Sequence, residues 1–261
     1  MNLDQVFARA KSEKRAALIG YMPAGFPSKE GSTRLIAAMI EGGVDIVEVG
    51  FPYSDPVMDG PVIQQAAEIA LRNNTSAADV FDVVKTSSVP TLVMSYWNPI
   101  ERYGVDRFAK EIANVSGVGV ITPDLTVEES QPWIDATESH GINRVYVVAP
   151  SSNDQRLSMV TAACSGFVYA ASLMGVTGAR TTLSSAASEL VARLRRVTHL
   201  PVAVGLGVSN PTQASEVARY ADGVIVGSAF IKLVLDSLSI DEAIPKVKEL
   251  AEQLAKGVRR T

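Results

Sequence analysis

The chain has 261 residues, of which 47% are hydrophobic and 20% are charged, the ordinary balance of a globular protein. Its net charge is −4 (24 Lys and Arg against 28 Asp and Glu) and it has no basic run, which argues against nucleic acid as the main ligand. The single cysteine, Cys164, excludes a disulfide framework and fits a reducing compartment. We see neither a signal-peptide pattern nor an apolar run of the ~18 residues that a membrane span needs, so we expect a cytoplasmic location.

Short apolar, β-branched segments alternate along the chain with segments of helical periodicity. The predicted strands are residues 16–22, 44–50, 91–97, 118–124, 144–150, 167–173, 201–207 and 223–227. The predicted helices are residues 3–10 ahead of the first strand, then 32–41, 129–139, 184–196, 211–220 and 241–258. Residues suited to helix caps stand at Ser28, at Asn210 with Pro211, and at Asp241.

The predicted strands are nearly continuous apolar runs, which is typical of parallel strands that are buried on both faces. Eight strands with intervening helices in ~250 residues indicate an α/β protein of the (β/α)8 TIM-barrel class. A doubly wound open sheet is the main alternative, although no G-x-G-x-x-G motif follows the first strand. Because no linker-like stretch divides the chain, we predict a single barrel domain over residues 1–261, with an extra N-terminal helix.

Glu48, on the second predicted strand, is the first candidate for catalysis. Side chains alternate along a strand, so Ile46 and Glu48 share one face while Val47 and Val49 share the other. Because helices cover the outside of a barrel, we expect Glu48 to point into the barrel mouth. Partial desolvation there would raise its pKa toward the range of a general acid–base. The alternative is a structural glutamate that is paired with a buried cation.

The loop after this strand, residues 51–61, contains three prolines and two aspartates. Prolines stiffen a loop, and long loops at the carboxyl-terminal face of a barrel are usually functional. Asp59 is therefore a candidate second carboxylate beside Glu48, and Asp55 could cap a helix or face a partner. The alternative for each aspartate is a turn residue that hydrogen-bonds to local backbone.

Glycine-bearing segments follow the last three predicted strands, at residues 175–178, 205–207 and 227–229. Exposed backbone N–H groups and a helix N-terminus form an anion site, and barrels usually bind phosphate in the loops after strands seven and eight. Ser228 can start a short helix at that place. These segments contain no lysine, so backbone dipoles would hold the phosphate. The alternative is that the glycines only form tight turns.

Aromatic side chains near strand ends could pack against a flat substrate, or could simply belong to the core. They are Tyr21, Tyr96 and Tyr169. Schiff-base catalysis would need a lysine at a strand end, and no predicted strand carries one. His140 and His199 precede strands five and seven, on the face opposite the loops, so we expect no metal site.

These segments together resemble the α-subunit family of tryptophan synthase over nearly the whole chain. The most specific segment is residues 48–56 with 59–61, which is similar to the family signature around its catalytic glutamate. Supporting segments are residues 96–99 with Gly104, Asp124, residues 149–150, 175–178 and 227–228.

The resemblance implies a (β/α)8 lyase that cleaves indole-3-glycerol phosphate to indole and glyceraldehyde 3-phosphate, with no metal or cofactor of its own. Glu48 and Asp59 would be its catalytic pair, and a β subunit carrying pyridoxal phosphate (PLP) would be its partner in an α2β2 complex. The implied substrate contacts are Tyr21, Tyr96, Tyr169, Thr177, Gly178, Leu206, Gly207, Gly227 and Ser228. The implied partner interface contains Asp55, Pro56 and Asn98.

The chain departs from the usual family pattern at four positions. Leu173 and Met174 replace a common Ser-Arg pair before Gly175, while Met58 replaces a frequent alanine and Tyr53 a frequent phenylalanine. Two other functions remain open for this sequence. One is a noncatalytic regulatory subunit that binds a phosphate ligand, and the other is a different phosphosugar lyase or isomerase on the same barrel.

Overall fold

The computed structural model describes residues 1–171, 180–205 and 207–260, without the side chains of residues 180–184. Within these residues, eight parallel strands close into a barrel in chain order. The strands are β1 Ala17–Pro23, β2 Ile46–Gly50, β3 Thr91–Met94, β4 Gly119–Thr122, β5 Asn143–Val148, β6 Val168–Ala171, β7 Val202–Gly205 and β8 Gly223–Val226. The closed barrel confirms the predicted (β/α)8 fold over the open sheet.

One helix precedes the first strand, and the other helices follow the strands and cover the outside of the barrel, as the apolar character of the strands on both faces requires. They are α1 Leu3–Ser12, α2 Lys29–Glu41, α3 Pro61–Arg72, α4 Ala77–Thr86, α5 Trp97–Tyr103, α6 Val105–Asn114, α7 Gln131–His140, α8 Asp154–Ala163, α9 Arg180–Leu194, α10 Pro211–Ala218, α11 Ser228–Leu235 and α12 Ile240–Gly257. Among the helices of the described ranges, none combines the length and the apolar character needed to cross a membrane.

Several predicted boundaries differ from the structure by a few residues, and three of the differences have a local reason. Helix α2 begins at Lys29 rather than at residue 32, because the Ser28 hydroxyl accepts the Gly31 N–H at 3.0 Å and caps it. Helix α12 is capped by Ser239, so Asp241 lies in its first turn instead of at the cap. Strand β3 ends at Met94 instead of residue 97, because α5 begins at Trp97.

The two faces of β2 have the predicted orientation. Ile46 belongs to the core inside the barrel, whereas Val47 and Val49 belong to the core between the strands and the helices. Glu48, on the same face as Ile46, therefore points into the barrel and is 1% exposed. Helix α1 closes the other end of the interior with its buried side chains Leu3, Val6, Phe7 and Ala10.

Asp45, directly before β2, joins the chain segments at the amino-terminal end of the barrel. Its carboxylate accepts hydrogen bonds from Arg15 at 2.5 and 2.9 Å, from Arg9 at 2.9 Å and from the Leu18 N–H at 2.9 Å. These bonds satisfy a carboxylate that is only 6% exposed. This hydrogen-bond network around Asp45 thus lies at the end of the barrel opposite the long loops.

Candidate active site

A cavity of about 560 Å³ opens at the carboxyl-terminal end of the barrel. Ligands bind at this end in (β/α)8 barrels, because the loops after the strands converge there. Seven of the residues predicted to form the site line this cavity: Tyr21, Glu48, Asp59, Tyr169, Gly207, Gly227 and Ser228. They come from five different strands or from the segments that follow them, so only the closed barrel brings them together.

Glu48 lies on the floor of the cavity, in register with Tyr21 of β1 and Leu92 of β3. Within the described part of the chain, its Oε1 has no hydrogen-bond partner and no cation pairs with it. Burial raises the pKa of Glu48 from its ordinary 4.5 to about 8, because the charged form loses its hydration without compensation. The side chain is therefore mainly protonated at neutral pH and can donate a proton into the cavity.

Asp59 enters the cavity from the loop after β2. Its backbone is fixed by two hydrogen bonds, from its N–H to the Pro56 carbonyl at 3.0 Å and from Gln64 Nε2 to its own carbonyl at 2.8 Å. Burial raises the pKa of Asp59 to about 6, and a hydrogen bond from Tyr96 opposes that rise. Asp59 is therefore mainly ionised at neutral pH while Glu48 is mainly protonated, a separation that suits different roles for two carboxyl groups.

Two tyrosines, one on β1 and one on β6, pack against glycines of the neighbouring strands. A Cβ added at Gly50 would lie 2.3 Å from the Tyr21 hydroxyl, and one added at Gly205 would lie 2.5 Å from the Tyr169 hydroxyl. Burial raises the pKa of both phenols, and the nearby Glu48 and Asp59 raise it further, so the hydroxyls stay protonated. The cavity therefore has two aromatic walls that face the carboxyl pair.

Tyr96 lies behind Asp59 instead of among the residues that line the cavity. Its hydroxyl donates to Asp59 Oδ2 at 3.1 Å and accepts the Met58 N–H at 2.9 Å. Its ring packs on that of Tyr53, with 5.2 Å between the ring centroids. This contact joins the loops after β2 and β3.

The predicted anion site lies across the cavity from the β2 loop. Gly207 has a φ of +67°, a conformation that favours glycine, and Gly227 precedes α11 as its N-cap. Among the described residues no side chain caps α11, so the N–H groups of Ser228 and Ala229 at its start are available to an anion. Among the described residues, no Lys or Arg lines the cavity, so backbone dipoles supply its positive potential.

Three predicted site residues, Thr177, Gly178 and Leu206, lie outside the described residues, as do Leu173 and Met174. The three residues of the predicted partner interface, Asp55, Pro56 and Asn98, lie outside the cavity lining. Asp55 and Asn98 are exposed, and the Asp55 carboxylate accepts a hydrogen bond from the Ser54 hydroxyl at 2.6 Å. These residues stand on the outer rim of the barrel mouth.

Sequence reasoning missed the apolar part of the lining. Met94, Val147 and Ile225 project into the cavity from the ends of β3, β5 and β8, and Ile63 does so from α3. The alternation that placed Glu48 inward would have found the strand residues, had it been applied to the other strands. They give the cavity the mainly apolar surface that a flat ring requires. In the described ranges, no group of three or more His, Cys, Asp or Glu could hold a metal ion.

The fold and the site together define a class, that of (β/α)8-barrel proteins with two carboxyl groups and an uncapped helix N-terminus at the loop end of the barrel. The family model described as tryptophan synthase alpha chain matches residues 7–259. The chain is 56% identical to the tryptophan synthase alpha chain of Thermobifida fusca, over 98% of this chain and 97% of the relative. It is 57% identical to that of Streptomyces avermitilis, over 98% of this chain and 94% of the relative.

A crystal structure of tryptophan synthase from M. tuberculosis contains a chain with the same fold, at a TM-score of 0.91 and 45% identity over 99% of this chain and 98% of that one. The chain belongs to the tryptophan synthase alpha chain family. It is thus a lyase subunit, whose reaction in tryptophan biosynthesis is the cleavage of indole-3-glycerol phosphate to indole and glyceraldehyde 3-phosphate.

Proposed function

We propose that Glu48 is the acid–base catalyst of this cleavage and that Asp59 is its electrostatic partner. The Glu48 carboxyl donates its proton to C3 of the indole ring, which makes that carbon tetrahedral and places positive charge on the ring nitrogen. The Asp59 carboxylate accepts a hydrogen bond from the ring N–H and stabilises that charge.

Glu48, now ionised, then takes the proton of the hydroxyl on the glycerol carbon that is bonded to C3. The electron pair of that O–H bond forms the aldehyde of glyceraldehyde 3-phosphate. The carbon–carbon bond breaks, and its electrons restore the aromatic ring of indole. Glu48 regains a proton in this step, so one carboxyl group serves as acid and then as base.

One observation carries the proposal: Glu48 is a fully buried carboxyl with an unpartnered Oε1 among the described residues, and it faces an apolar cavity. Such a group has an ordinary structural role only when a cation or hydrogen bonds compensate its burial. Its pKa of about 8 lies close to the value that favours proton transfer in both directions near neutral pH.

We assign the remaining predicted residues to binding. Backbone N–H groups at Gly207, Gly227 and Ser228 hold the phosphate, together with Gly178. Tyr21 and Tyr169 border the indole. Leu206 and Thr177, which lie outside the described residues, are assigned to the substrate by the family resemblance. The positions of Tyr21 and Tyr169 in the cavity lining support this assignment.

In this family the α chain carries no cofactor, the β subunit carries PLP, and the two subunits form a complex. We propose an α2β2 assembly in the cytoplasm, with this chain acting as one barrel domain over residues 1–261. Asp55, Pro56 and Asn98 would face the β subunit. The strong exposure of Val57 and Met58, at 79% and 50%, supports a contact surface beside them.

The test is release of indole from indole-3-glycerol phosphate, measured with and without the β subunit. Glu48→Gln and Asp59→Asn should each lower kcat by a factor of about 10² to 10⁴ or more, because each removes an ionisable group from the transition state. Glu216→Gln makes the same amide replacement on the exposed face of α10 and should turn over like the unmodified chain. Unchanged turnover in Glu48→Gln would refute the assignment.

A further inference from the structure

The structure assigns Tyr96 a role other than bordering the substrate: we infer that it is a positioning residue, whose hydroxyl holds Asp59 in the cavity in its ionised form. The inference rests on the proposed function, in which Asp59 must be ionised to stabilise charge on the indole ring. It concerns the contact between Tyr96, Met58 and Asp59 described above.

The direction of the hydrogen bonds follows from the number of protons available. A phenol hydroxyl has one proton, and a backbone N–H can only donate. Since the Met58 N–H donates to the Tyr96 oxygen at 2.9 Å, the phenol proton is free to point at Asp59 Oδ2, 3.1 Å away. A donor aimed at a carboxylate oxygen favours the ionised form, so this contact selects the charge state that the proposed reaction needs.

Tyr96 is more deeply buried than the loop that it contacts. It is 5% exposed and stands at the N-cap of α5, where the next residue, Trp97, donates its N–H to Asp124 Oδ1 at 2.9 Å. The loop residues Val57 and Met58 are largely exposed. The buried phenol therefore anchors the exposed loop through two hydrogen bonds, one with the Met58 N–H and one with the Asp59 carboxylate.

The other ionisable groups near Asp59 do not favour its charged form. Glu48 on β2 is a second acid, and Tyr21 on β1 and Tyr169 on β6 face Asp59 as buried phenols. Asp124 acts on Tyr96 from the loop after β4. Within the described residues, Tyr96 makes the interaction that lowers the pKa of Asp59 against the effect of burial.

Tyr96→Phe removes the hydroxyl and keeps the ring packed on Tyr53. The pKa of Asp59 should then rise from about 6, which moves the acid limb of the kcat/KM profile for indole release to higher pH. The alkaline limb, assigned to Glu48, should stay in place. The bell-shaped pH profile of kcat/KM should therefore become narrower from its acid side only. At the optimum, kcat/KM should fall about 10-fold to 100-fold, the range for loss of a hydrogen bond to a charged group.

Tyr53→Phe is the matched control, because it removes a hydroxyl from the other ring of the same aromatic pair. The phosphate of the substrate also titrates near pH ~6, but it contributes equally to all variants and cancels in the comparison. Titration of the Asp59 carboxyl by 13C NMR, in the complex with the β subunit, measures the same pKa independently of turnover.

A rise in the acid-limb pKa in Tyr96→Phe, with none in Tyr53→Phe, supports the inference. An acid limb and an Asp59 carboxyl pKa that stay unchanged in Tyr96→Phe overturn it. Asp59→Asn separates this outcome from failure of the proposed function. If that variant loses activity while Tyr96→Phe has the original profile, only the role of Tyr96 is refuted. If Asp59→Asn turns over normally, the proposed role of Asp59 is refuted and the inference with it.

Discussion

The buried charge of Glu48 should make the folded chain less stable as pH rises, and replacing it should stabilise the protein. Burial raises the pKa of Glu48 from 4.5 to about 8. Each pKa unit corresponds to about 1.4 kcal/mol, so ionising Glu48 costs about 5 kcal/mol more in the folded chain than in the unfolded chain. Glu48→Gln keeps the shape of the side chain and removes this cost.

The sign follows from proton binding. Between pH 4.5 and about 8 the folded chain retains a proton that the unfolded chain has released, so the free energy of unfolding falls as pH rises. The contribution of Glu48 is fully present below pH 4.5 and is lost once the pH passes about 8. The stabilisation by Glu48→Gln should therefore grow by about 4 kcal/mol between pH ~5 and pH ~9.

Urea unfolding of the two proteins at these two pH values, followed by circular dichroism, measures this growth. The raised pKa of Asp59 affects both proteins alike and cancels in the difference. Glu216→Gln, on the exposed face of α10, controls for the chemical change and should alter the free energy of unfolding by less than about 0.5 kcal/mol at either pH. An equal effect of Glu48→Gln at both pH values would show that the site does not destabilise the charged carboxyl.

Two further substitutions, Gly50→Ala and Asp45→Asn, test the structure at the two ends of the barrel, each with a control variant. Gly50→Ala should lower both kcat/KM and the free energy of unfolding, the latter by about 1–3 kcal/mol, because its Cβ would lie 2.3 Å from the Tyr21 hydroxyl. Gly60→Ala, whose Cβ meets no atom within 4 Å, should shift Tm far less. Asp45→Asn should lower the free energy of unfolding in urea by about 3–5 kcal/mol, because it breaks a buried ion-pair network. Asp241→Asn should lower it by less than about 1 kcal/mol, because Asp241 is 77% exposed in its ion pair with Arg34. Equal losses in the two aspartate variants would contradict this reading.

The barrel could be predicted from the sequence because its strands are apolar on both faces, a property that each strand has locally. The helices were harder, and α3, α4, α5, α6 and α8 were not delimited in advance. Helix α5 shows why: it has only seven residues, and it starts where the apolar run of β3 continues. Its N-terminus depends on Asp124, which is close to it only in the closed barrel.

The candidate site was predictable where it follows from position on a strand. Alternation along β2 placed Glu48 inward, and glycines after β7 and β8 indicated the anion site. The link between Tyr96 and Asp59 could not be predicted, because it depends on how two loops that are 37 residues apart fold against each other. No periodicity in the sequence relates these residues, and the sequence predicted Tyr96 only as a substrate contact or a core residue.

The two acids of the β2 segment, Asp45 and Glu48, show how one element serves both stability and chemistry. Both are buried, at 6% and 1% exposure, and they lie three positions apart in the sequence. Asp45 has two arginines and a backbone N–H as partners, so its charge is compensated and it ties the barrel together. Glu48 has no such partner among the described residues. Its pKa is therefore raised to about 8, close to the pH at which the carboxyl can both donate and accept a proton. The same short segment thus carries a compensated acid at the amino-terminal end of the barrel and an uncompensated acid that faces the cavity where the substrate would enter.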